Sequence, residues 1–439
     1  MSLQFITGNS GNGKTKYLFN RIVNEAKANP RDNYLVIVPE QFTMQTQRQL
    51  VDLSENKAIM NIDVLSFKRL AYRVFDELGI TNLTVLEETG KNLVLRKLAA
   101  QEADKLGVIG RNLNRIGYIS EVKSLLSELV QYNISPEELG RYIASGRLSD
   151  TLSDKLKDVL VLYEAFEKFM QDKYITAEEI LNVLCNVAEE SAILRNSVIA
   201  FDEFTGFTPI QNQLIKKLFV ISKKIYVTLT IDCREDIFKS RGMQELFDMP
   251  KRTVKSLTEM AAFYGIEVEE PIILDKNYRL AENEELSFME QQLFRKQRHS
   301  FKKAPKHIHI DCLRDPKQEL TKIARRINEL VRNENMRYRD IAIVTGDVNI
   351  YAGYVREIFD KYNIPYFIDA TQEILFHPFI EFIRSIPDIA AQNFSADAVF
   401  RFLRCGFSEL LDSEIDVLEN YVLACGVRGK SAWDRKWVR

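Results

Sequence analysis

The chain has 439 residues, of which 46% are apolar and 28% charged, with a net charge of −2. Such a length exceeds one ordinary core and implies about two to four domains. A near-neutral balance excludes a general attraction to nucleic acid, so any such binding must come from local patches.

The first predicted element is a short strand, Gln4-Phe5-Ile6-Thr7, followed by a helix over 14–28 and a second strand over 33–38. Residues 40–53 read as helical and 62–66 as a third strand. This alternation predicts a parallel sheet of α/β type. From about 68 to 190 the apolar residues recur at helical spacing, as in Leu160, Leu162, Tyr163, Phe166 and Phe169, which predicts an all-α insertion. The sheet resumes at Val198-Ile199-Ala200-Phe201, with a helix over 209–221 and a β-rich run over 225–231. A second alternating segment is predicted with strands at 307–312, 340–345 and 365–368 and helices at 316–334 and 348–363, before a helical stretch over 376–425. No run approaches the ~18 apolar residues of a membrane helix, and no signal peptide is visible. The five scattered cysteines form no C-x-x-C pair, so buried thiols in a reducing cytoplasm are expected, without disulfides or zinc.

Gly8-Asn9-Ser10-Gly11-Asn12-Gly13-Lys14-Thr15 fits the P-loop pattern and stands between a strand and a helix. Its glycines let several N–H groups converge on one anion, and the helix adds its positive end. Lys14 is expected to reach the β/γ-phosphates of ATP and Thr15 to hold Mg²⁺. Asp202 leaves the end of a wholly apolar strand, where open α/β sheets bind ligands. It is expected to share the Mg²⁺ with Thr15, while Glu203 orients the attacking water. Arg279 is the candidate contact for the γ-phosphate.

Three spaced blocks resemble superfamily-one helicases of the UvrD/Rep kind: the P-loop, Asp202-Glu203-Phe204 with Pro209-Ile210-Gln211, and Asn277-Tyr278-Arg279. Val38-Pro39-Glu40-Gln41, Ser66-Phe67-Lys68-Arg69-Leu70-Ala71-Tyr72-Arg73-Val74 and Gly206-Phe207-Thr208-Pro209 narrow the resemblance to the AddB family, which supplies one of the two subunits of bacterial AddAB helicase–deoxyribonucleases. The resemblance implies RecA-like domains with all-α insertions. Residues 1–67 and 191–280 would form domain 1A, 68–190 domain 1B, 281–370 the start of 2A and 371–439 a 2B-like segment. It implies a cytoplasmic bacterial protein that pairs with an AddA-type subunit and acts on single-stranded DNA and duplex ends in recombinational repair, with no membrane partner. DNA contacts carry over to Pro39, Gln41, Phe42 and Thr43 after the second strand and to Ser66, Phe67 and Arg69 after the third, with core packing an equal reading for the two phenylalanines. A nuclease domain with an iron–sulfur cluster is expected beyond this chain. Thr205 and Gly206 replace the Gln and Asp of active relatives, no adenine-reading glutamine precedes Gly8, and the arginine completing the catalytic clamp would lie past Arg439. Nucleotide binding with little hydrolysis is therefore expected. The alternatives are a stand-alone P-loop phosphotransferase or NTPase acting on a small molecule, and a scaffold with a relic P-loop.

Overall fold

The structure is a computed structural model that describes residues 1–81, 84–108, 110, 117–145, 148–170, 174–295, 299–370 and 374–437. The chain divides into two compact units, Met1–His309 and Ile310–Arg439. The first unit holds a parallel sheet built from β1 (Ser2–Gly8), β2 (Tyr34–Ile37), β3 (Ile62–Leu65), β6 (Val198–Phe201) and β7 (Lys224–Thr230) in the order β3-β2-β6-β7-β1. Two short strands, β8 (Glu267–Val268) and β9 (Ile272–Leu274), extend the free edge of β1.

Every residue of β2 and β6 is buried because both sheet faces are covered. Alternate residues go to opposite layers. Ile6, Tyr34, Val36, Val198 and Ala200 pack under α1 (Lys14–Ala28) and α2 (Thr43–Leu53). Phe5, Leu35, Ile37, Ile199 and Val227 pack against α3 (Phe67–Leu78), α8 (Ile180–Val187), α9 (Pro209–Ile221) and α10 (Asp248–Phe263). Helix α9 starts where the sequence dictates: Thr208 and Gln211 form a capping box and Pro209 occupies the first turn.

The insertion between β3 and β6 is helical, as expected. It contains α4 (Glu88–Gln101), α5 (Tyr118–Gln131), α6 (Pro136–Ala144) and α7 (Asp150–Met170) around a separate core that includes Leu95, Leu126, Leu162 and Phe166. A two-stranded parallel sheet that hydropathy does not suggest joins β4 (Val85–Leu86) to β5 (Ile175–Thr176). Beneath it Lys91 is 2% exposed and pairs with Glu88 and Glu178. The first unit also holds α11 (Glu284–Gln292).

The second unit comprises α12 (Pro316–Asn333), α13 (Val348–Lys361), α14 (Pro378–Ala391), α15 (Ala396–Leu403), α16 (Asp412–Cys425) and α17 (Lys430–Trp433). The strands predicted at 307–312, 340–345 and 365–368 are not formed; these residues are irregular, with a 3₁₀ turn at Tyr338–Asp340. A strand exists only when a neighbour accepts its backbone hydrogen bonds. Here α12 and α13 bury Leu320, Ala324, Ile358 and Phe359 in one cluster. Ile310, Val344 and Phe367 stay 94, 92 and 88% exposed, so the β-rich composition of these segments finds no ladder.

Candidate functional site

Gly13 caps α1 with φ +79°, and Lys14 and Thr15 open the helix behind it. β7 lies between β1 and β6, so Thr228 stands between the P-loop and Asp202. A cavity of about 760 Å³ over these strand ends is bordered by Lys14, Thr15, Asp202, Glu203, Tyr278 and Arg279. The residues read from sequence as a nucleotide site therefore do converge.

Lys14 Nζ donates to the carbonyl oxygens of Gly8 and Asn9 at 3.1 and 3.0 Å. Burial pulls its pKa below the usual lysine value, against the opposing charges of Asp202 and Glu203. Asp202 is 1% exposed; its Oδ1 accepts the Thr228 hydroxyl, while its buried Oδ2 has no partner. Burial, reinforced by the charge of Glu203, raises the Asp202 pKa although the Thr228 hydroxyl opposes it. A buried carboxylate oxygen without a donor is costly unless a cation takes it. Glu203 adopts φ +63°, a strained region for its side chain, and its Oε1 accepts the Thr15 hydroxyl at 3.3 Å.

The segment after β9 is latched to the P-loop. The N–H groups of Tyr278 and Arg279 donate to Gly11 O, Asn277 Nδ2 donates to Ser10 O at 3.0 Å, and Arg279 Nη1 reaches Ser10 Oγ at 3.3 Å. Asn12, 2% exposed, donates to Leu274 O at 2.6 Å. Asn9 accepts from Cys233 N and donates to Glu290 at 2.6 Å. These two asparagines thus support the loop from behind and leave phosphate contact to their neighbours. Tyr278 is 64% exposed, with Lys276 Nζ 5.0 Å from its ring centroid, and borders Gly13.

The second group of expected contacts sits at the ends of β2 and β3. Pro39 precedes a 3₁₀ turn over Glu40–Phe42 in which Gln41 is exposed and Phe42 half-buried. Thr43 is 4% exposed and its hydroxyl donates to Glu40 O, so it serves the turn. Ser66 caps α3 by accepting from Arg69 N, and its hydroxyl donates to the Glu40 carboxylate. Arg69 is exposed and its Nε donates to Glu40 at 2.9 Å. Phe67 is 7% exposed, with ring centroids 5.8, 5.5 and 6.3 Å from Phe201, Phe204 and Phe207. Of its two readings, core packing accounts for this ring.

A model of the family described as ADDB, N-terminal, matches residues 5–290. The chain belongs to the AddB family. It is 39% identical, over its whole length, to the AddB-type subunit of the ATP-dependent helicase/deoxyribonuclease of Lachnoclostridium phytofermentans, covering 39% of that protein. The counterpart of the same name from Clostridium acetobutylicum is 34% identical across the whole chain, which covers 38% of it. That of Clostridium tetani is also 34% identical, over 99% of this chain and 39% of the relative. The chain thus spans about two fifths of the length of the curated relatives it matches.

In this AddB-family chain the sequence did not assign roles to Thr228, Asn277 or Tyr278. Thr228 is one of several hydroxyls in a strand, and only the strand order puts it beside Asp202. Asn277 and Tyr278 lie within a recognisable block, but their attachment to the P-loop is a contact across more than 260 residues. Among the described residues no helix is long and apolar enough to cross a membrane.

Proposed function

We propose that the chain binds ATP–Mg²⁺ at Gly8–Thr15 and single-stranded DNA at the ends of β2 and β3. In this reading it is the helicase-like N-terminal part of the AddB component of an AddAB-type helicase–exonuclease in double-strand-break repair. The observation that carries the nucleotide reading is the buried, unpartnered Oδ2 of Asp202 beside the P-loop. Among the described residues no three His, Cys, Asp or Glu side chains gather to hold a metal alone. Such a site suits Mg²⁺, which is usually held by one or two side chains together with substrate phosphates. Thr15 and Asp202 would hold the ion, which supplies charge neutralisation at the phosphates.

Each residue then has a defined task. Lys14 leaves the carbonyls of Gly8 and Asn9 to meet the β/γ-phosphates. Arg279, already held at Ser10, contacts the γ-phosphate. Glu203 releases Thr15 when the metal takes that hydroxyl, and its carboxylate is then free to orient water. The exposed face of Tyr278 beside Gly13 offers a stacking surface to the base. The names of the relatives support a component of a DNA-processing assembly over a small-molecule phosphotransferase. The domain reading extends to 1A, 1B, 2A and 2B parts of a superfamily-one architecture, with the last starting at residue 371, outside the described residues. An AddA-type subunit is the partner in this reading. Calorimetry with ATP–Mg²⁺ tests the site. Lys14→Ala should abolish binding, and equal affinity in the variant would overturn the assignment.

A further inference from the structure

The outer face of α3 carries a row of side chains that the nucleotide site does not use. Phe67, Leu70, Ala71, Val74 and Phe75 turn inward, which leaves Lys68, Arg69, Tyr72 and Arg73 exposed. Arg69, Tyr72 and Arg73 stand at i, i+3 and i+4 and so share one stripe. Tyr72 is 38% exposed, its ring held edge-on to Phe75 with centroids 6.2 Å apart. Each arginine already faces a carboxylate from outside the helix. Arg69 Nε lies 2.9 Å from Glu40, and Arg73 Nε lies 3.6 Å from Asp63. Glu40 also takes the hydroxyl of Ser66, a side chain more than nine-tenths buried. That hydroxyl, with Arg69, holds the Glu40 carboxyl below the usual range against a smaller opposing effect of burial.

We infer that this stripe is a track for single-stranded nucleic acid and that Glu40 and Asp63 keep it closed by occupying the places of two backbone phosphates. The inference rests on the DNA-binding reading above and adds Tyr72, Arg73 and the two carboxylates to it. Both ion pairs are about half exposed, and such pairs contribute little stability, so a phosphodiester can displace them at small cost. Guanidinium groups bind phosphate through paired hydrogen bonds. Arg69 and Arg73 are separated by about 6 Å of helix rise, so one strand can engage both. The exposed ring between them gives a base something to stack on. An acidic protein segment would satisfy the arginines but would leave that ring without a role. The arrangement has a signature that a structural ion pair lacks: neutralising the carboxylates should strengthen binding.

Fluorescence anisotropy of the 439-residue chain with a labelled oligothymidylate, over a series of salt concentrations, tests this. Glu40→Gln and Asp63→Asn should each tighten binding several-fold. Arg69→Ala and Arg73→Ala should weaken it and reduce the salt slope by about 0.7 each. Tyr72→Ala should weaken binding at least about fivefold with the slope unchanged, and Tyr72→Phe should restore it. Affinity unchanged or lowered in both Glu40→Gln and Asp63→Asn overturns the closing role. Wild-type affinity in Arg69→Ala, Tyr72→Ala and Arg73→Ala overturns the track and leaves the DNA-binding reading standing. Failure of the wild-type chain to bind any oligonucleotide overturns both. Competition by polyglutamate as effective as that by oligothymidylate would assign the stripe to an acidic protein partner instead.

Discussion

Gly11 is where the P-loop and the 277–279 segment come closest, and replacing it with alanine measures that contact. A Cβ at Gly11 would lie 2.8 Å from both Asn277 Oδ1 and Arg279 Cβ, and the residue sits at φ +88°. Gly79, which ends α3, has φ +68° and nothing within 4 Å of the same added atom. The left-handed backbone costs an L-residue about 1–2 kcal/mol at either position. The loss of unfolded-chain entropy favours alanine by a few tenths to ~1 kcal/mol at both. These terms cancel in the comparison. What remains for Gly11→Ala is overpacking, about 1–3 kcal/mol, because the obstructing Arg279 Cβ is fixed to the backbone. Urea unfolding of the two variants should show Gly11→Ala less stable than Gly79→Ala by that difference. Asn277→Ala combined with Gly11→Ala should recover part of it. Equal losses at the two glycines would show that the 277–279 segment does not press on the P-loop and would refute its latching.

Three further outcomes follow from the geometry. Glu203→Gly should raise stability by about 1 kcal/mol in denaturant titration by relieving the positive φ; a loss of stability would place the value of that residue in its Thr15 contact. Burial pushes the Asp232 carboxyl up, but its hydrogen bonds and charge pairing with Arg234, aided by Arg295, outweigh this and hold it at about 2. A depressed pKa stabilises the fold above the unfolded carboxyl range and is lost as pH falls from about 4 towards about 2, here up to ~2 kcal/mol; Asp232→Asn should flatten the stability profile in that window. Phe67→Ala should cost about 3–5 kcal/mol of stability as a core truncation, measured by the shift in urea midpoint; a near-neutral result would return its ring to the surface.

How much of this is legible in the sequence depends on the range of the interaction. The sequence by itself settled α1, because Gly13-Lys14 after an apolar strand leaves few local alternatives, and α9, because Thr208, Pro209 and Gln211 mark its first turn. It also marked Asp202 through four apolar residues ending in an acid. It failed at 307–312, 340–345 and 365–368, since β-propensity records a fit to a pleated neighbour and carries no information about whether one is present. Only the tertiary structure decided that Thr228 faces Asp202, that Asn277 and Tyr278 clasp the P-loop, that the Phe67 ring belongs to the core, and that Glu40 occupies Ser66 and Arg69. Each of these is a contact between residues separated by tens to hundreds of positions. Strand order and burial fix such contacts, and the local spacing of residue types does not encode them.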